Sequence, residues 1–276
     1  MTEPDRVGIV RDYYEQRGES ELHRLDNPFE GAVERELHRR AFEELLPAGA
    51  RVLDLGGGPG HWTAWLLRRG HSVVLADLSA TMLDIGRREL EAAGLVPDAV
   101  LEVDARDLSA FADGEFDAVL ALGPFYHLVA AADRGRAIAE AGRVIRPGGT
   151  LLATVMTRYP WVLGALLEGG SARVAAAREA LASGEFRDPD PGRLTGAHLF
   201  RVEEVAPFFE AAGFGTRRLM ASQGILHLVQ EQVAELRERD AAAYDALIEM
   251  AYSCSTDPSI LGISNHLLYA GERLSG

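Results

Sequence analysis

The sequence predicts an α/β protein, a doubly wound Rossmann-like seven-stranded sheet that is mostly parallel and ends in an antiparallel strand. Apolar runs of strand length alternate with helix-like stretches, and such alternation is typical of a sheet buried on both faces. Glycine-rich turns mark where strands give way to helices and helices to strands. The first five predicted strands cover 51–55, 72–77, 99–103, 116–122 and 150–156.

The intervening segments have helical patterns that begin and end at recognisable residues. A polar, helical N-terminal region closes at Pro47, and Ser79 is a good N-cap for the helix that follows the second strand. Pro147 with Gly148 and Gly149 ends another helix before the fifth strand. The helices between strands are expected at about 60–69, 79–93 and 133–146.

The C-terminal half has a different pattern, with longer helical stretches and fewer strands. Two late strands at 214–220 and 265–271 are expected to form an antiparallel edge. Long helices are predicted over 160–184 and 227–250, with a short one over 202–212. We therefore expect an N-terminal helical cap (1–47), a nucleoside-binding core (48–156), and a helical lid insertion with C-terminal strands that complete the same domain (157–276).

Charge and composition limit the classes of partner. The 276-residue chain has a net charge of −14 and one cysteine, Cys254. A chain this acidic lacks the basic footprint that nucleic acid or an anionic membrane surface requires. A lone cysteine and a polar N-terminus favour a cytoplasmic protein. Scattered histidines predict no metal site, and the expected state is a monomer or homodimer.

The segment 52–77 has the geometry of a nucleoside site. A strand ends in a glycine turn, a helix follows, and a second strand ends at Asp77, whose carboxylate can accept two ribose hydrogen bonds. The G-x-G-x-x-G spacing of dinucleotide-binding proteins fails, because its third glycine position falls on His61 or Thr63. The spacing that fits is acid-x-Gly-x-Gly-x-Gly, filled by Asp54, Gly56, Gly58 and Gly60.

This spacing resembles the first motif of class I S-adenosylmethionine-dependent methyltransferases. The segment from Phe116 to Leu128 and the Arg-Pro-Gly-Gly turn at 146–149 are similar to the small-molecule branch related to quinone-biosynthesis methyltransferases. The resemblance covers 50–156 and implies S-adenosylmethionine as cofactor. Beyond the motif residues and Asp77, it implies these cofactor-binding residues: Leu78, Met82, Asp104, Ala105, Arg106, Leu122 and Tyr14.

His127 is the strongest candidate for a catalytic residue. It follows the fourth strand, at the edge of an open α/β sheet where ligands bind, and an imidazole can serve as a general base. A histidine that only frames the ligand is the competing interpretation. Tyr126, Tyr159 and His198 are expected to bind the acceptor, while Arg158 and Arg201 are alternatives for holding an acidic one.

These observations together predict methyl transfer from S-adenosylmethionine to a small molecule, one from specialised metabolism. One alternative keeps the cofactor and changes the reaction to cyclisation, a lyase reaction or a pericyclic step. A second alternative is a nicotinamide-dependent oxidoreductase, which the glycine spacing disfavours. A binding protein without activity is a third, and the intact glycines and Asp77 weigh against it.

Overall fold

The structure is a computed structural model that describes residues 6–22, 31–167, 170–186 and 196–275. Nine strands lie within these residues. They are β1 Arg51–Leu55, β2 Ser72–Asp77, β3 Ala99–Glu102, β4 Phe116–Ala121, β5 Ile145–Thr157, β6 Glu185–Phe186, β7 Ala197–Phe200, β8 Phe214–Ala221 and β9 His266–Arg273.

Helices precede, connect and follow the strands. They are α1 Arg6–Arg17, α2 Glu19–Leu22, α3 Ala32–Leu45, α4 His61–Leu67, α5 Ala80–Ala92, α6 Pro124–His127, α7 Ala131–Val144, α8 Arg158–Leu167, α9 Ser171–Ser183, α10 Val202–Glu210, α11 Gln230–Arg239, α12 Ala241–Ser253 and α13 Pro258–Leu261, with a 3₁₀ helix at Gly224–Val229. None of the described helices is both long enough and apolar enough to cross a membrane.

The strand order confirms the predicted doubly wound sheet. Strands β3, β2, β1, β4 and β5 are parallel neighbours in that order. Strand β9 pairs antiparallel with β5 over Thr150–Met156, and β8 pairs antiparallel with β9. The chain winds outward in both directions from β1 and β4, so a crevice forms at their carboxyl ends.

Apolar residues cover both faces of this sheet. One face packs Phe116, Phe209 and Tyr269 into a core in which the Phe209 and Tyr269 rings stack with centroids 4.0 Å apart. The other face packs Phe42 and Trp62 against β1 and β4. Burial on both faces explains why the central strands are apolar throughout instead of alternating.

Three differences from the sequence prediction have local causes. The helix predicted over 160–184 is divided into α8 and α9, and Gly170 between them has a φ of 99°, a conformation outside a helix. The helix predicted over 227–250 breaks at Asp240, whose side chain caps α12 by accepting from the Ala243 amide at 3.0 Å. The short strands β6 and β7 add two to the predicted seven, because strands of two and four residues leave too little periodicity.

Candidate active site

The glycine turn after β1 forms the floor of the crevice and requires glycine for two separate reasons. Gly56, Gly58 and Gly60 all have positive φ values, of 72°, 54° and 81°. A Cβ on Gly56 would lie 2.9 Å from Cγ of Pro124, and one on Gly57 would lie 2.6 Å from Leu75. The turn therefore combines a left-handed backbone conformation with close packing. A residue with a Cβ could adopt this arrangement only with backbone strain and steric clashes.

Asp54 lies under this turn, out of contact with solvent. Its carboxylate accepts a hydrogen bond of 2.7 Å from the hydroxyl of Thr63, and a Cβ on Gly57 would meet it at 2.7 Å. Burial raises the pKa of Asp54 to about 6, partly opposed by the Thr63 hydrogen bond. Asp54 thus supports the glycine turn from below and places a titratable group beside the cavity.

Asp77 at the tip of β2 has the position expected for a ribose-binding carboxylate. Its two oxygens accept from the backbone amides of Gly58 at 2.8 Å and Ser79 at 2.9 Å. Desolvation raises its pKa, while these amide hydrogen bonds lower it. As the sequence predicts, Ser79 caps α5, since its side chain accepts from the Met82 amide at 3.2 Å. Asp77 is therefore not needed as the helix cap.

Asp104 follows β3 and is held by its neighbour Arg106. The guanidinium donates to both Asp104 oxygens, with Nη2 to Oδ2 at 2.6 Å, and also approaches Asp133 at 3.4 Å. Asp104 and Asp133 line the cavity, whereas Arg106 does not. Arg106 thus orients the two carboxylates from outside the cavity in this structure.

Tyr14 and His127 meet at the end of the crevice formed after β4. The Tyr14 hydroxyl and Nε2 of His127 are 2.8 Å apart and share a hydrogen bond, although 113 positions separate the two residues. His127 is buried and the rings meet edge to face. Helix α1 is held over the crevice by Glu15, which accepts from the hydroxyl of Thr81 at 2.7 Å. The N-terminal helix thus contributes a polar group to the site.

Most of the residues predicted for the site lie in one cavity. Its walls include these predicted residues: Asp54, Gly56, Gly58, Asp77, Leu78, Met82, Asp104, Ala105, Leu122, Tyr126, His127 and Tyr14. Gly60, Arg106, Tyr159 and His198 lie outside the described lining. Gly60 is the N-cap of α4 and Tyr159 is 59% exposed, while His198 is on β7 with a pKa lowered to about 3 by burial and by Arg134 and Arg158.

Several lining residues were not identified from the sequence. Glu34 and His38 reach the cavity from α3, and Glu34 accepts from Nδ1 of His266 at 2.9 Å and from the Gln223 side chain at 3.1 Å. The indication available in the sequence was that Glu34 and His38 interrupt an otherwise apolar face of helix α3. Their hydrogen-bond partners are 184 to 232 positions away along the chain, so the sequence could not identify them.

The charges of the lining fit a cationic ligand. Arg11 is the only arginine among the described lining residues, which include six carboxylates: Glu21, Glu34, Asp54, Asp77, Asp104 and Asp133. A pyrophosphate would be repelled by such a wall, whereas a sulfonium and an ammonium group would be attracted. No group of three metal-ligating side chains occurs among the residues that the structure describes.

The central segment of the chain is similar to a known family of protein domains. Residues 52–149 match the family model described as a methyltransferase domain. The chain is 42% identical over 112 residues to an uncharacterised methyltransferase of Mycobacterium tuberculosis, covering 40% of this chain and 42% of that protein. It is 38% identical over 109 residues to the ubiquinone/menaquinone biosynthesis C-methyltransferase of Vibrio cholerae, covering 38% of this chain and 40% of that protein. These matches span less than half of each relative.

Two further comparisons cover more of the chain. The tRNA 5-carboxymethoxyuridine methyltransferase of Escherichia coli is 26% identical over 230 residues, which is 80% of this chain and 79% of that protein. The crystal structure of a methyltransferase from Methanosarcina mazei superposes with a TM-score of 0.60 at 18% identity, covering 86% of this chain and 98% of that one. The structural match shows a shared fold.

Proposed function

We propose that this chain is a class I S-adenosylmethionine-dependent methyltransferase that methylates a small-molecule acceptor, and the match of residues 52–149 to a methyltransferase domain supports the proposal. The cofactor supplies an electrophilic methyl group on a sulfonium. The observation that carries the proposal is one cavity that combines the glycine turn, Asp77 and the Tyr14–His127 pair. In this arrangement the donor and the acceptor would be held side by side.

The two ends of the cavity have different tasks in this proposal. At the glycine end, Asp77 binds the ribose hydroxyls, and Leu78 and Met82 flank the adenine. At the other end, His127 accepts the proton of an acceptor hydroxyl or amine, directly or through the Tyr14 hydroxyl that shares its hydrogen bond. Tyr126 forms the adjoining wall, and its ring centroid is 4.6 Å from that of His127.

The charge and the shape of the cavity favour a small molecule as the acceptor. The acidic cavity is covered by α1, and a covered pocket suits a small molecule better than a polynucleotide. The likeness to an Escherichia coli tRNA methyltransferase makes nucleic acid the alternative acceptor. The net charge of −14 weighs against that alternative, since a polyanion would be repelled at long range.

Binding measurements test the cofactor assignment. Calorimetry with S-adenosylmethionine, S-adenosylhomocysteine and NAD should give binding of the first two only. The Asp77→Ala variant should bind S-adenosylhomocysteine at least about tenfold more weakly, since each good hydrogen bond to a charged group contributes about 1.5–3 kcal/mol. Asp84→Ala, at an exposed position on α5, is the matched control. Unchanged affinity in Asp77→Ala would remove the ribose assignment.

The role of His127 is tested by turnover of a panel of phenols and amines with S-adenosylmethionine. His127→Asn should lower kcat by about 10²–10⁴-fold, as expected for loss of a general base. Tyr14→Phe should shift the pH profile, because it removes a hydrogen bond to the imidazole. Formation of S-adenosylhomocysteine together with a methylated acceptor would support methyl transfer. Methylthioadenosine, or a rearranged acceptor without a new methyl group, would instead support the alternative chemistry. Full turnover in His127→Asn would exclude the base role.

A further inference from the structure

Glu34 is a buried carboxylate that lines the cavity from helix α3. Only 7% of the residue is exposed, and it is part of the cavity wall. Apart from His38, the buried face of the helix around it is apolar and adds Val33, Leu37 and Ala41 to the core. A carboxylate removed from water lowers stability unless its charge is used. An apolar side chain would suffice for packing here, so the carboxylate indicates a function inside the cavity.

Two donors fix the direction of this carboxylate. Oε2 of Glu34 accepts from Nδ1 of His266 at 2.9 Å and from the side-chain amide of Gln223 at 3.1 Å. Because a carboxylate can only accept, the proton of His266 is on Nδ1. Its Nε2 is buried and has no hydrogen-bond partner among the described residues, so a second proton there would be an unsatisfied donor. The neutral imidazole thus orients Glu34 without adding a positive charge.

The sheet anchors both donors at its ligand-binding edge. His266 begins β9 and pairs antiparallel with Met156, near the end of β5. Gln223 follows β8, which is antiparallel to β9 and therefore ends at the same edge. Ser264 connects the two segments, since its hydroxyl accepts from the Gln223 backbone amide at 3.4 Å and donates to the His266 carbonyl at 2.6 Å. Open α/β sheets bind ligands at this edge.

Tyr126 connects Glu34 to the proposed base. The Tyr126 ring stacks on that of His266, with centroids 5.7 Å apart and planes inclined by 19°. Its centroid is also 4.6 Å from that of His127. Glu34, Tyr126 and His127 all line the cavity. A small molecule whose reacting atom lies at His127 would therefore have another of its groups near Glu34.

We propose that Glu34 binds a cationic group of the acceptor, most simply a protonated amine. The assignment rests on the proposed function, since it names the class of acceptor for the same site. A protonated amine would donate charge-assisted hydrogen bonds to the carboxylate. A cation entering the cavity would meet little repulsion, because Arg11 is the only arginine among the described lining residues and is exposed. The acceptor is thus an organic amine that is methylated at another atom, the one held at His127.

Tyramine and tyrosol test this proposal, since they differ only by an ammonium in place of a hydroxyl. Calorimetry on the full chain saturated with S-adenosylhomocysteine should show that tyramine binds about tenfold more tightly. Glu34→Gln should remove that preference, because the amide keeps an acceptor oxygen for His266 and Gln223 but has no charge. Glu36→Gln makes the same change in net charge on the same helix, at a partly exposed residue paired with Arg39, and should keep the preference within about twofold.

Salt concentration separates a contact with Glu34 from the general negative field of the protein. In about 0.5 M salt the wild type should keep its preference for tyramine within about twofold, since buried pairs are screened much less than exposed charges. A preference that disappears at this salt concentration, or that persists in Glu34→Gln, would contradict the assignment. Equal affinities of the wild type for the two probes, or no binding of either, would do the same. The salt series needs only the wild type, so it decides the question if Glu34→Gln does not fold.

Binding of S-adenosylhomocysteine distinguishes failure of this proposal from failure of the proposed function. Its affinity is measured in every variant and should change by less than about twofold, because the cofactor is assigned to the glycine end of the cavity. If the wild type binds it and does not distinguish tyramine from tyrosol, only the amine site is overturned. If the wild type does not bind it, the proposed function is overturned as well.

Discussion

At the scale of single residues, the site depends on carboxylates that burial makes sensitive to protons. Asp54 and Asp77 lie on neighbouring strands, both are largely removed from water, and burial raises the pKa of each. Their hydrogen bonds differ, since Thr63 supports Asp54 and two backbone amides support Asp77. The free energy of unfolding is therefore expected to depend on pH, in a direction opposite to that caused by salt-bridged carboxylates.

The Asp54→Asn variant tests this expectation. The pKa of Asp54 rises from 3.8 to about 6 on folding, so its contribution to stability is fully present below pH 3.8 and is lost as the pH rises through about 6. The unfolding free energy of the wild type minus that of Asp54→Asn should fall by about 3 kcal/mol over this interval, since one pKa unit corresponds to about 1.4 kcal/mol. Urea unfolding between pH 4 and 7 measures it.

Asp84→Asn, at an exposed position of α5, controls for the chemical replacement itself. A difference between wild type and Asp54→Asn that is constant over the whole pH interval would contradict the prediction. A difference that rises with pH would mean that the Thr63 hydrogen bond outweighs the cost of burial.

At the scale of elements, the glycine turn and helix α1 enclose the same space from opposite sides. The turn brings backbone close to the ligand, because Gly56 packs on Pro124 and has a positive φ. Helix α1 covers the opening, fixed by Glu15 at the N-terminus of α5 and by Tyr14 at His127. The glycine turn lies between β1 and α4, whereas the contacts that hold α1 over the cavity join segments that are far apart in the sequence.

Gly56→Ala should impair both stability and cofactor binding. Alanine at a left-handed φ costs about 1–2 kcal/mol, and the contact with Pro124 adds an overpacking cost of about 1–3 kcal/mol. Displacement of the turn should weaken S-adenosylhomocysteine binding at least about tenfold, equivalent to about 1.4 kcal/mol. Calorimetry and thermal unfolding measure the two effects.

Gly94→Ala separates backbone strain from the steric clash. Gly94 also has a positive φ, of 67°, but a Cβ there would meet nothing within 4 Å. This variant should lose only the strain contribution to stability and should bind S-adenosylhomocysteine as the wild type does. Equal affinities in the two variants would show that the close approach at Gly56 has no part in ligand binding.

At the scale of the whole molecule, charge separates the two classes of acceptor. The net charge of −14 creates a negative field, and the cavity walls carry the same sign. Such a field favours a cationic cofactor and opposes the approach of a polyanion.

Total tRNA should therefore bind weakly or not at all. In a gel-shift or fluorescence titration at 150 mM salt with saturating S-adenosylhomocysteine, we expect a Kd weaker than about 100 µM, the weak end of non-specific binding. Lowering the salt concentration is the control, because any residual electrostatic binding must strengthen as screening falls. A submicromolar Kd, or methyl transfer to tRNA, would favour the nucleic acid alternative.

The sequence by itself determined the core sheet, the glycine turn, Asp77 with its neighbouring cap Ser79, and the antiparallel last strand. All of these depend on residues close together in the chain or on periodicity, which local physical rules capture. The predicted division at 47 and 156 stays a prediction, as do the roles of Tyr159 and His198 toward the acceptor. The role of His127 as a base and that of Tyr14 as a cofactor contact stay predictions as well.

Only the tertiary structure decided which side chains meet across long separations. It paired Tyr14 with His127 and Glu34 with His266. It also engaged Arg158 with Glu204. Which arginines are engaged depends on which carboxylates fold against them, and that is a property of packing between distant segments. Spacing along the chain carries no record of such contacts, so the glycine-turn end of the cavity was predictable from local motifs while the contacts at its other end required the fold.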